Sequence, residues 1–264
     1  MANKYLARDD APFGSEIWSV LDNTMKEAAT SQLVGRRLLP LEGPFGLGLK
    51  TIPLQDEVDE ESGLTVGSTL PILMIQQPFT IGTRDLASYE RDGTFLDTRP
   101  VAEAAIAVAH KEDELIFNGA AGQAGLMSVD DANTCDLSDW DEVGTAVSDV
   151  IEAVTQLDAA GFHGPYTMAL APERFNKLYR LYPRGKQTEM EHLASIVTDG
   201  IHKAPTLESG GVLLATGRQF ASIVMGQDMT VGFIGPAGDQ VEFTISESLA
   251  VRIRRPQAIC ALNG

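Results

Sequence analysis

The hydrophobic pattern of the chain changes its period near Gly210. In the predicted helical segments upstream of this residue, apolar side chains recur every three to four positions, which is the spacing of amphipathic helices. Downstream, the pattern predicts successive short strands over the segments GGVLLATG, FASIVMG, MTVGFIG, QVEFTISESLAVRIRRP and QAICALNG. An array of helices followed by an array of strands favours layered α+β architecture over a regular βαβ sheet. We therefore expect an α+β fold.

Three helices account for most of the upstream pattern. The first follows a serine N-cap at Ser15 and ends near residue 35, with an apolar stripe formed by Ile17, Leu21, Met25 and Ala28. The second covers about 100–118, because proline suits a first helical turn and Asn-Gly suits a C-terminal cap. The third begins at residue 138 or 139, after an acidic loop, and continues through residue 160. Two shorter helices are predicted over PERFNKLYRL and TEMEHLASIVTDG.

Residues 43–82 contain two β-like runs around an acidic Ser-Gly turn, with prolines at positions 44, 53, 71 and 78. Proline cannot donate to a β ladder, so such strands belong at sheet edges or bulges. A two-stranded flap is marginally stable alone. We expect this flap to lie against another surface, such as a neighbouring subunit.

The net charge of −17 over 264 residues argues against two kinds of partner. Nucleic acid and anionic membranes attract basic surfaces, so neither is expected to bind. The two cysteines, Cys135 and Cys260, form no CxxC pair. The N-terminus lacks the apolar core of a signal peptide, and no apolar run reaches the ~18 residues of a membrane span. We expect a cytoplasmic protein.

The stretch AHKEDELIFNG, residues 109–119, holds the densest cluster of potential metal ligands. His110 and Glu114 share a helix face, and with Glu191 and His192 they permit a metal-dependent hydrolase as an alternative function. Two ligands do not make a site, however, and the chain has no HExxH motif. The simpler interpretation places His110, Lys111 and Asp113 on a solvated helix face.

Known catalytic motifs are absent from the sequence. It has no GxSxG nucleophile elbow and no GxxxxGK[ST] loop, and GPFGLG lacks the glycine spacing of a dinucleotide fingerprint. We therefore expect a protein without catalytic residues, metal ligands or a cofactor. Near the C-terminus, Arg252 and Arg254 alternate with apolar residues, which predicts a basic sheet face suited to an acidic surface of another copy.

Several phrases, taken in order, resemble the encapsulins, shell proteins that share the phage major-capsid fold. They are APFGSEIWSVLDN, QLVGRRLLPLEGPFG, LPILMIQQPFTI, EDELIFNG, GLMS, GFHGPYTMALAPERF, MGQDMTVGF and ISESLAVRIRRPQAICAL. The resemblance implies an N-terminal arm and interior-facing helix at 1–42 and an extended loop at 43–82. It also implies a peripheral domain with a spine helix at 83–127, an axial domain at 128–225 and return strands of the peripheral domain at 226–264.

The resemblance further implies the function of a non-enzymatic shell subunit. Many copies would assemble into a closed icosahedral container for iron storage or protection from oxidative stress. The container would enclose a ferritin-like protein or a peroxidase that carries a C-terminal targeting peptide. Only that cargo, and not the shell subunit, would bind iron. The major capsid protein of a phage or prophage is the alternative from the same fold.

Individual residue roles also come from the resemblance. A cargo-docking groove is expected at Ile17, Leu21, Met25 and Arg36, although the first three also suit plain packing of the helix on the core. A five-fold pore loop is expected at Tyr182, Arg184, Gly185, Lys186 and Gln187. Some relatives bind flavin against an aromatic residue, where this chain has Arg84, so flavin is not expected.

Overall fold

A computed structural model describes residues 4–58, 62–93, 95–183 and 185–264. The α-helices are α1 Ser15–Gln32, α2 Gly35–Leu38, α3 Thr83–Asp92, α4 Arg99–Asn118, α5 Thr145–Ala159, α6 Pro172–Lys177 and α7 Glu189–Leu193. The strands are β1 Leu41–Glu42, β2 Thr51–Pro53, β3 Glu57–Val58, β4 Thr65–Val66, β5 Thr69–Pro71, β6 Leu73–Gly82, β7 Gly119–Ala120, β8 Gln123–Ala124, β9 Asn133–Asp136, β10 Tyr166–Leu170, β11 Ile201–Lys203, β12 Gly211–Ala215, β13 Ala221–Ala237, β14 Gln240–Ile253 and β15 Ile259–Asn263. The α+β prediction is confirmed.

The chain divides into two compact units. Unit 1 contains Met1–Leu33, Gly43–Glu112 and Val224–Ala250, and unit 2 contains Val34–Glu42, Asp113–Ile223 and Val251–Gly264. Two segments of the chain therefore leave unit 1 and return to it. Domain boundaries drawn along the sequence cannot describe this arrangement, because each unit is assembled from three separate segments.

Unit 1 has a hydrophobic core between helices and a sheet. The apolar stripe of α1 and the apolar face of α4 are buried together with strand residues such as Phe79 and Phe243. Phe79 and Phe243 stack with ring centroids 5.2 Å apart, on strands β6 and β14 that pair antiparallel. The predicted bounds of α4 are confirmed to within one residue. For α1, the N-cap is Gly14 rather than Ser15, which is already helical.

The flap is shorter than the sequence suggested. Its base is the antiparallel pair β2 and β5, and its tip is the antiparallel pair β3 and β4. The last ten residues of the predicted loop, 73–82, instead form β6, which pairs with β14 along its whole length. Pro78 lies within β6, at the edge of the four-stranded sheet of order β1-β13-β14-β6, where a missing backbone donor is tolerated.

Unit 2 is built on a five-stranded sheet of order β11-β10-β12-β15-β9. Its core contains the buried faces of β10 and β12, helix α5, and the indole of Trp140. The C-terminal strand β15 pairs with β12 and β9, so the expectation that 226–264 forms one domain is wrong for the last fourteen residues. The segments FASIVMG and MTVGFIG, predicted as two strands, form the single strand β13.

Helix α5 begins seven residues later than Ser138, the earlier of the two predicted starts. Ser138 donates to Asp149 Oδ2 from its backbone N–H and its hydroxyl, at 2.8 Å each, and Trp140 Nε1 donates to the same oxygen at 2.8 Å. Trp140 also has a left-handed φ of 57°, which is incompatible with a helix interior. The segment before Thr145 therefore folds back onto the helix instead of beginning it.

Candidate assembly and cargo surfaces

The predicted docking stripe lies inside unit 1. Ile17, Leu21 and Met25 are only 1%, 0% and 2% exposed, and all three belong to the hydrophobic core. Arg36 lies on α2, in unit 2, and is half-buried. The structure therefore brings the three apolar residues together without presenting them at a surface. The packing alternative accounts for them.

The segment that begins with α2 is anchored by a buried carboxylate. Asp113 is 1% exposed, and its Oδ1 accepts hydrogen bonds from the backbone N–H groups of Val34 at 3.1 Å and Gly35 at 2.8 Å. Its Oδ2 accepts a third bond from Val34 N–H at 2.9 Å. The expectation that Asp113 faces solvent is wrong, because this carboxylate supplies the acceptor that the start of the short helix otherwise lacks.

The N-terminal arm of unit 1 is fixed by Arg8. The guanidinium donates to both carboxylate oxygens of Asp22, at 2.9 and 2.5 Å, and to the carbonyl of Val231 at 2.8 Å. Its carbon lies 4.5 Å from the ring centroid of Trp18, a cation–π distance. The planar guanidinium donates to two carboxylate oxygens and lies over an aromatic ring at the same time, which a lysine ammonium group cannot do.

A cavity of about 500 Å³ opens between this arm and strand β13. Its lining residues are Lys4, Leu6, Ala7, Arg8, Asp9, Asp10, Gln227 and Thr230. The lining combines apolar side chains with charged groups of both signs. Such a mixture suits a short peptide better than a purely apolar ligand.

The predicted pore loop is a tight hairpin in unit 2. A β-bridge between Leu181 and Thr188 closes it, and Tyr182 N–H donates to the Gln187 carbonyl at 3.2 Å. Gly185 N–H donates to the Tyr182 carbonyl at 3.0 Å. Gly185, Lys186 and Gln187 are exposed, whereas Arg184 lies outside the described residues. The loop therefore presents a lysine at its tip.

The base of this loop is rigid because Glu189 is buried and paired. Its carboxylate is 3.0 Å from Arg180 Nη2 and accepts from Gly144 N–H at 2.7 Å, and the side chain is 0% exposed. The Tyr182 hydroxyl lies 2.9 Å from His192 Nδ1. Burial, and then the nearby Glu189 carboxylate, raises the pKa of Tyr182 above its ordinary value. Because Glu189 pairs with Arg180, this carboxylate does not neutralise the charge of Lys186.

A second buried carboxylate, Glu42, holds the C-terminal part of unit 2. It accepts from Ser222 Oγ at 2.5 Å and from Arg254 Nη2 at 2.7 Å, and Arg218 Nη2 is 3.1 Å away. Burial alone would raise its pKa, but the hydrogen bonds from these three side chains outweigh burial and lower the pKa of Glu42 to about 2. Arg254, one of the two arginines predicted to face an acidic surface of another copy, is thus paired with Glu42 within its own unit.

The tip of the flap exposes apolar side chains. Val58, Leu64 and Val66 are 64%, 65% and 55% exposed. They are flanked by the acidic run at 56–61. Neighbouring exposed apolar side chains of this kind are typical of a surface that another molecule covers.

The metal-site alternative finds no geometric support in the described part of the chain. No group of three or more His, Cys, Asp or Glu residues there could hold a metal ion. His110 and Glu114 are exposed on α4, and His110 Nε2 lies 3.4 Å from Gln32 Oε1. His192 is engaged with Tyr182. None of the helices in the described ranges has the length and apolarity needed to cross a membrane.

From the sequence, Asp113 was expected on a solvated face, and Glu42 and Arg8 were not singled out. Each acts on residues distant in the chain: Asp113 on residues 78 to 79 positions away and Glu42 on a residue 212 positions away. An isolated acidic residue in a polar run carries no local sign of such a partner. Nor does the sequence around Arg8, four positions before a Pro-Phe-Gly break, indicate its contacts with Asp22 and Val231.

A protein-family profile described as "Encapsulating protein for peroxidase" matches residues 3–250. The type 1 encapsulin shell protein EncA of Myxococcus xanthus is 31% identical over 283 residues, which cover 98% of this chain and 96% of that protein. A diheme-cytochrome-encapsulin shell fusion protein of Kuenenia stuttgartiensis is 29% identical over 264 residues, covering 94% of this chain and 73% of that protein.

Two solved structures show the same fold. The virus-like particle from Pyrococcus furiosus superimposes with a TM-score of 0.78 at 24% identity, covering 94% of this chain and 100% of that chain. The capsid of the Myoviridae phage XM1 superimposes with a TM-score of 0.63 at 12% identity, covering 86% and 89%. The predicted phage major-capsid fold is confirmed.

Proposed function

This chain belongs to the encapsulin shell-protein family, and from that membership we propose that it is the structural subunit of a closed icosahedral shell in the cytoplasm. The family match over residues 3–250 carries the proposal. The exposed apolar tip of the flap supports it, because a single copy leaves this ribbon uncovered. The subunit is proposed to have no catalytic activity of its own.

The test is the size of the purified protein. Sedimentation velocity and negative-stain microscopy should show uniform closed particles of many subunits. A monomer or dimer at micromolar concentration would refute the shell. Mass spectrometry of particles from the native host also separates the two capsid-type alternatives. A co-purifying enzyme supports a nanocompartment, whereas portal or terminase proteins support a phage capsid.

The enclosed cargo is proposed to be a ferritin-like protein or a peroxidase with a C-terminal targeting peptide. The family description names peroxidase as what its members encapsulate. In the Kuenenia relative a shell protein is fused to a diheme cytochrome, another redox protein. Confining redox chemistry inside a protein shell suits iron storage or protection from oxidative stress. The shell subunit itself needs no flavin or metal for this role.

We propose that the targeting peptide binds the cavity beneath the N-terminal arm, rather than the buried stripe of α1. The cavity is open, and its lining offers both apolar contacts and charges of either sign. Asp substitutions at Leu21 or Met25 cannot test docking, because an unpaired carboxylate in the core would unfold unit 1.

A better test fills the cavity. Thr230 lines it and is half-buried, so Thr230→Arg should block a peptide without opening the core. The matched control is Gln240→Arg, which adds the same single positive charge at an exposed position where β14 begins, in the same unit. Thr230→Arg shells should assemble and lose co-purifying cargo, while control shells keep it. Equal cargo in both would exclude this cavity as the docking site.

The loop at 182–187 is proposed to line the five-fold pore. Lys186 is exposed at its tip, and Glu189 is committed to Arg180. A ring of uncompensated lysines would favour anions over ferrous ions. The pore is therefore proposed to restrict, rather than promote, the passage of free Fe²⁺.

A further inference from the structure

The acidic segment 138–144, which we call the strap, is held against helix α6 through its backbone. Three basic side chains, spaced three residues apart, each donate a hydrogen bond to a carbonyl of the strap: Arg174 to Ser138 at 2.5 Å, Lys177 to Asp139 at 2.8 Å and Arg180 to Asp141 at 3.1 Å. Residues at this spacing are neighbours on one side of a helical turn. The strap is therefore positioned by a row of cations.

Arg180 differs from the other two members of this row because its guanidinium joins three segments. Its Nε donates to the carbonyl of Lys177 at the end of α6 at 2.9 Å, and its Nη1 donates to the Asp141 carbonyl of the strap at 3.1 Å. Its Nη2 donates to Oε2 of Glu189 on α7 at 3.0 Å. The rigid fork of a guanidinium suits acceptors in three directions, whereas the compact ammonium of lysine does not reproduce this spacing.

Glu189 extends this junction to the start of α5. Its side chain is 0% exposed, and while Oε2 pairs with Arg180, Oε1 accepts from Gly144 N–H at 2.7 Å. Gly144 is the last residue of the strap and the N-cap of α5, with a left-handed φ of 107° that favours glycine. The Arg180–Glu189 pair therefore holds the strap at two points, Asp141 and Gly144.

The same pair forms the base of the predicted pore loop. Glu189 N–H donates to the Arg180 carbonyl at 3.1 Å, immediately outside the bridge between Leu181 and Thr188. The loop is a short hairpin, and a two-stranded hairpin is marginally stable alone. The position of its tip, where Lys186 is exposed, therefore depends on how the base is held.

We propose that Arg180 is a positioning residue of the pore: by holding the strap and Glu189 together, it sets the direction in which the loop leaves unit 2, and so the place of Lys186. This inference rests on the proposed pore function of the loop and adds a residue outside the loop that determines its charge selectivity. The simpler alternative is that Arg180 only neutralises the buried carboxylate of Glu189.

Arg180→Lys separates these two roles, because the charge beside Glu189 is kept while the three-way junction is lost. The matched control is Arg174→Lys, the same substitution in the same row of cations, at a residue that donates to Ser138. Glu189→Gln is a second test, because one amide oxygen replaces the two carboxylate oxygens that now serve Arg180 and Gly144. Thermal unfolding and electron microscopy check that each variant folds and assembles.

Hydrogen exchange tests the positioning directly. In Arg180→Lys and in Glu189→Gln, the hydrogen-bonded loop amides of Tyr182 and Gly185 should exchange at least fivefold faster than in the wild type, while the amides of β10 and β12 keep their rates. Arg174→Lys should leave the loop rates unchanged. Loop rates that stay at the wild-type values in Arg180→Lys overturn the inference, whether or not the loop lines a pore.

The release of small dyes from assembled particles tests the effect on the pore. Particles are loaded with an anionic and a cationic dye of similar size, and the ratio of the anionic to the cationic release rate is measured. This ratio should fall at least threefold in Arg180→Lys, because Lys186 is no longer held in one place, and should stay at the wild-type value in Arg174→Lys.

Lys186→Glu tells a failure of the inference from a failure of the proposed pore. If this variant changes the ratio and Arg180→Lys does not, Arg180 has no positioning role in the pore. If Lys186→Glu leaves the ratio unchanged, the proposed pore function of the loop fails, and the exchange rates alone decide whether Arg180 positions the loop.

Discussion

Replacing Glu42 by glutamine removes the one charge on which three side chains of unit 2 converge. The carboxylate is 8% exposed and accepts hydrogen bonds from Ser222 and Arg254 while pairing with Arg218. Glutamine keeps the shape and one acceptor oxygen. Its amide group, however, can only donate and would face a guanidinium, so Glu42→Gln isolates the contribution of the charge.

The lowered pKa sets the size of this contribution. A fall from 4.5 to about 2 corresponds to roughly 3 kcal/mol of extra stability for the ionised carboxylate in the folded state. The hydrogen bond from Arg218 lowers the pKa most, ahead of those from Ser222 and Arg254, although the Arg218 side chain is 62% exposed and solvent screens its charge. Because the folded pKa is depressed, this stability is fully present above about pH 4.5 and is lost as the pH falls through about 2.

Urea unfolding, monitored by tryptophan fluorescence, measures the difference in the free energy of unfolding between the wild type and Glu42→Gln. Trp140 is buried in unit 2 and reports on it, and a Trp18→Phe background removes the only other tryptophan. Wild type and Glu42→Gln are compared at equal subunit concentration, because assembly also contributes to apparent stability. At pH 7 the variant should be less stable by about 3 kcal/mol, and the gap should close as the pH approaches 2.

Glu208→Gln provides the matched control, since Glu208 is an exposed acid of the same unit and its loss should change stability by less than about 0.5 kcal/mol. Two results would refute the reasoning. One is a difference below about 1 kcal/mol at pH 7, which would mean that desolvation cancels the hydrogen bonds. The other is a gap that does not change with pH, which would show that the amide disturbs packing rather than charge.

Three further predictions concern other parts of the chain. Asp113→Ala leaves two buried N–H groups without an acceptor and should cost about 2–5 kcal/mol in urea unfolding, whereas Asp113→Asn keeps one acceptor oxygen and should cost less. Arg8→Lys keeps the charge but loses the paired contacts to Asp22, so hydrogen exchange in residues 4–13 should accelerate while α1 stays protected; unchanged exchange would rule out the anchor. If the loop at 182–187 lines the pore, Lys186→Glu should speed ferrous oxidation in loaded shells, and an unchanged rate would exclude control of entry at this loop.

Helices with a full apolar stripe were predictable from the sequence. The stripe of α1 and the face of α4 each bury a continuous row of side chains, so tertiary packing agrees with local periodicity. The start of α5 was not predictable, because the carboxylate of Asp149 gathers Ser138 and Trp140 into a turn. The sequence alone cannot show that an acidic residue inside a helix accepts hydrogen bonds from residues that precede the helix.

Strand partners were less predictable than strands. The segment QAICALNG was correctly identified as β15, but its pairing with β9 and β12 joins residues more than 40 positions apart. Four of the five residues of β15 are buried, so its two faces do not alternate between apolar and polar side chains. A strand of this kind carries no sequence pattern that specifies its neighbour in the sheet. The docking stripe of α1 was mispredicted for a related reason, because an apolar stripe has the same sequence pattern whether it faces a core or a ligand.

The net charge of −17 limits how the copies of this chain can associate. Several basic side chains are already engaged within the chain: Arg8 with Asp22, Arg180 with Glu189, and Arg254 with Glu42. The 37 acidic residues still outnumber the 20 basic ones, so copies of the chain repel one another, and ion pairs at an exposed rim contribute little. Apolar burial must supply most of the association energy, at roughly 25 cal/mol for each Å² removed from water. The exposed Val58, Leu64 and Val66 of the flap tip are apolar surface that association could remove from water.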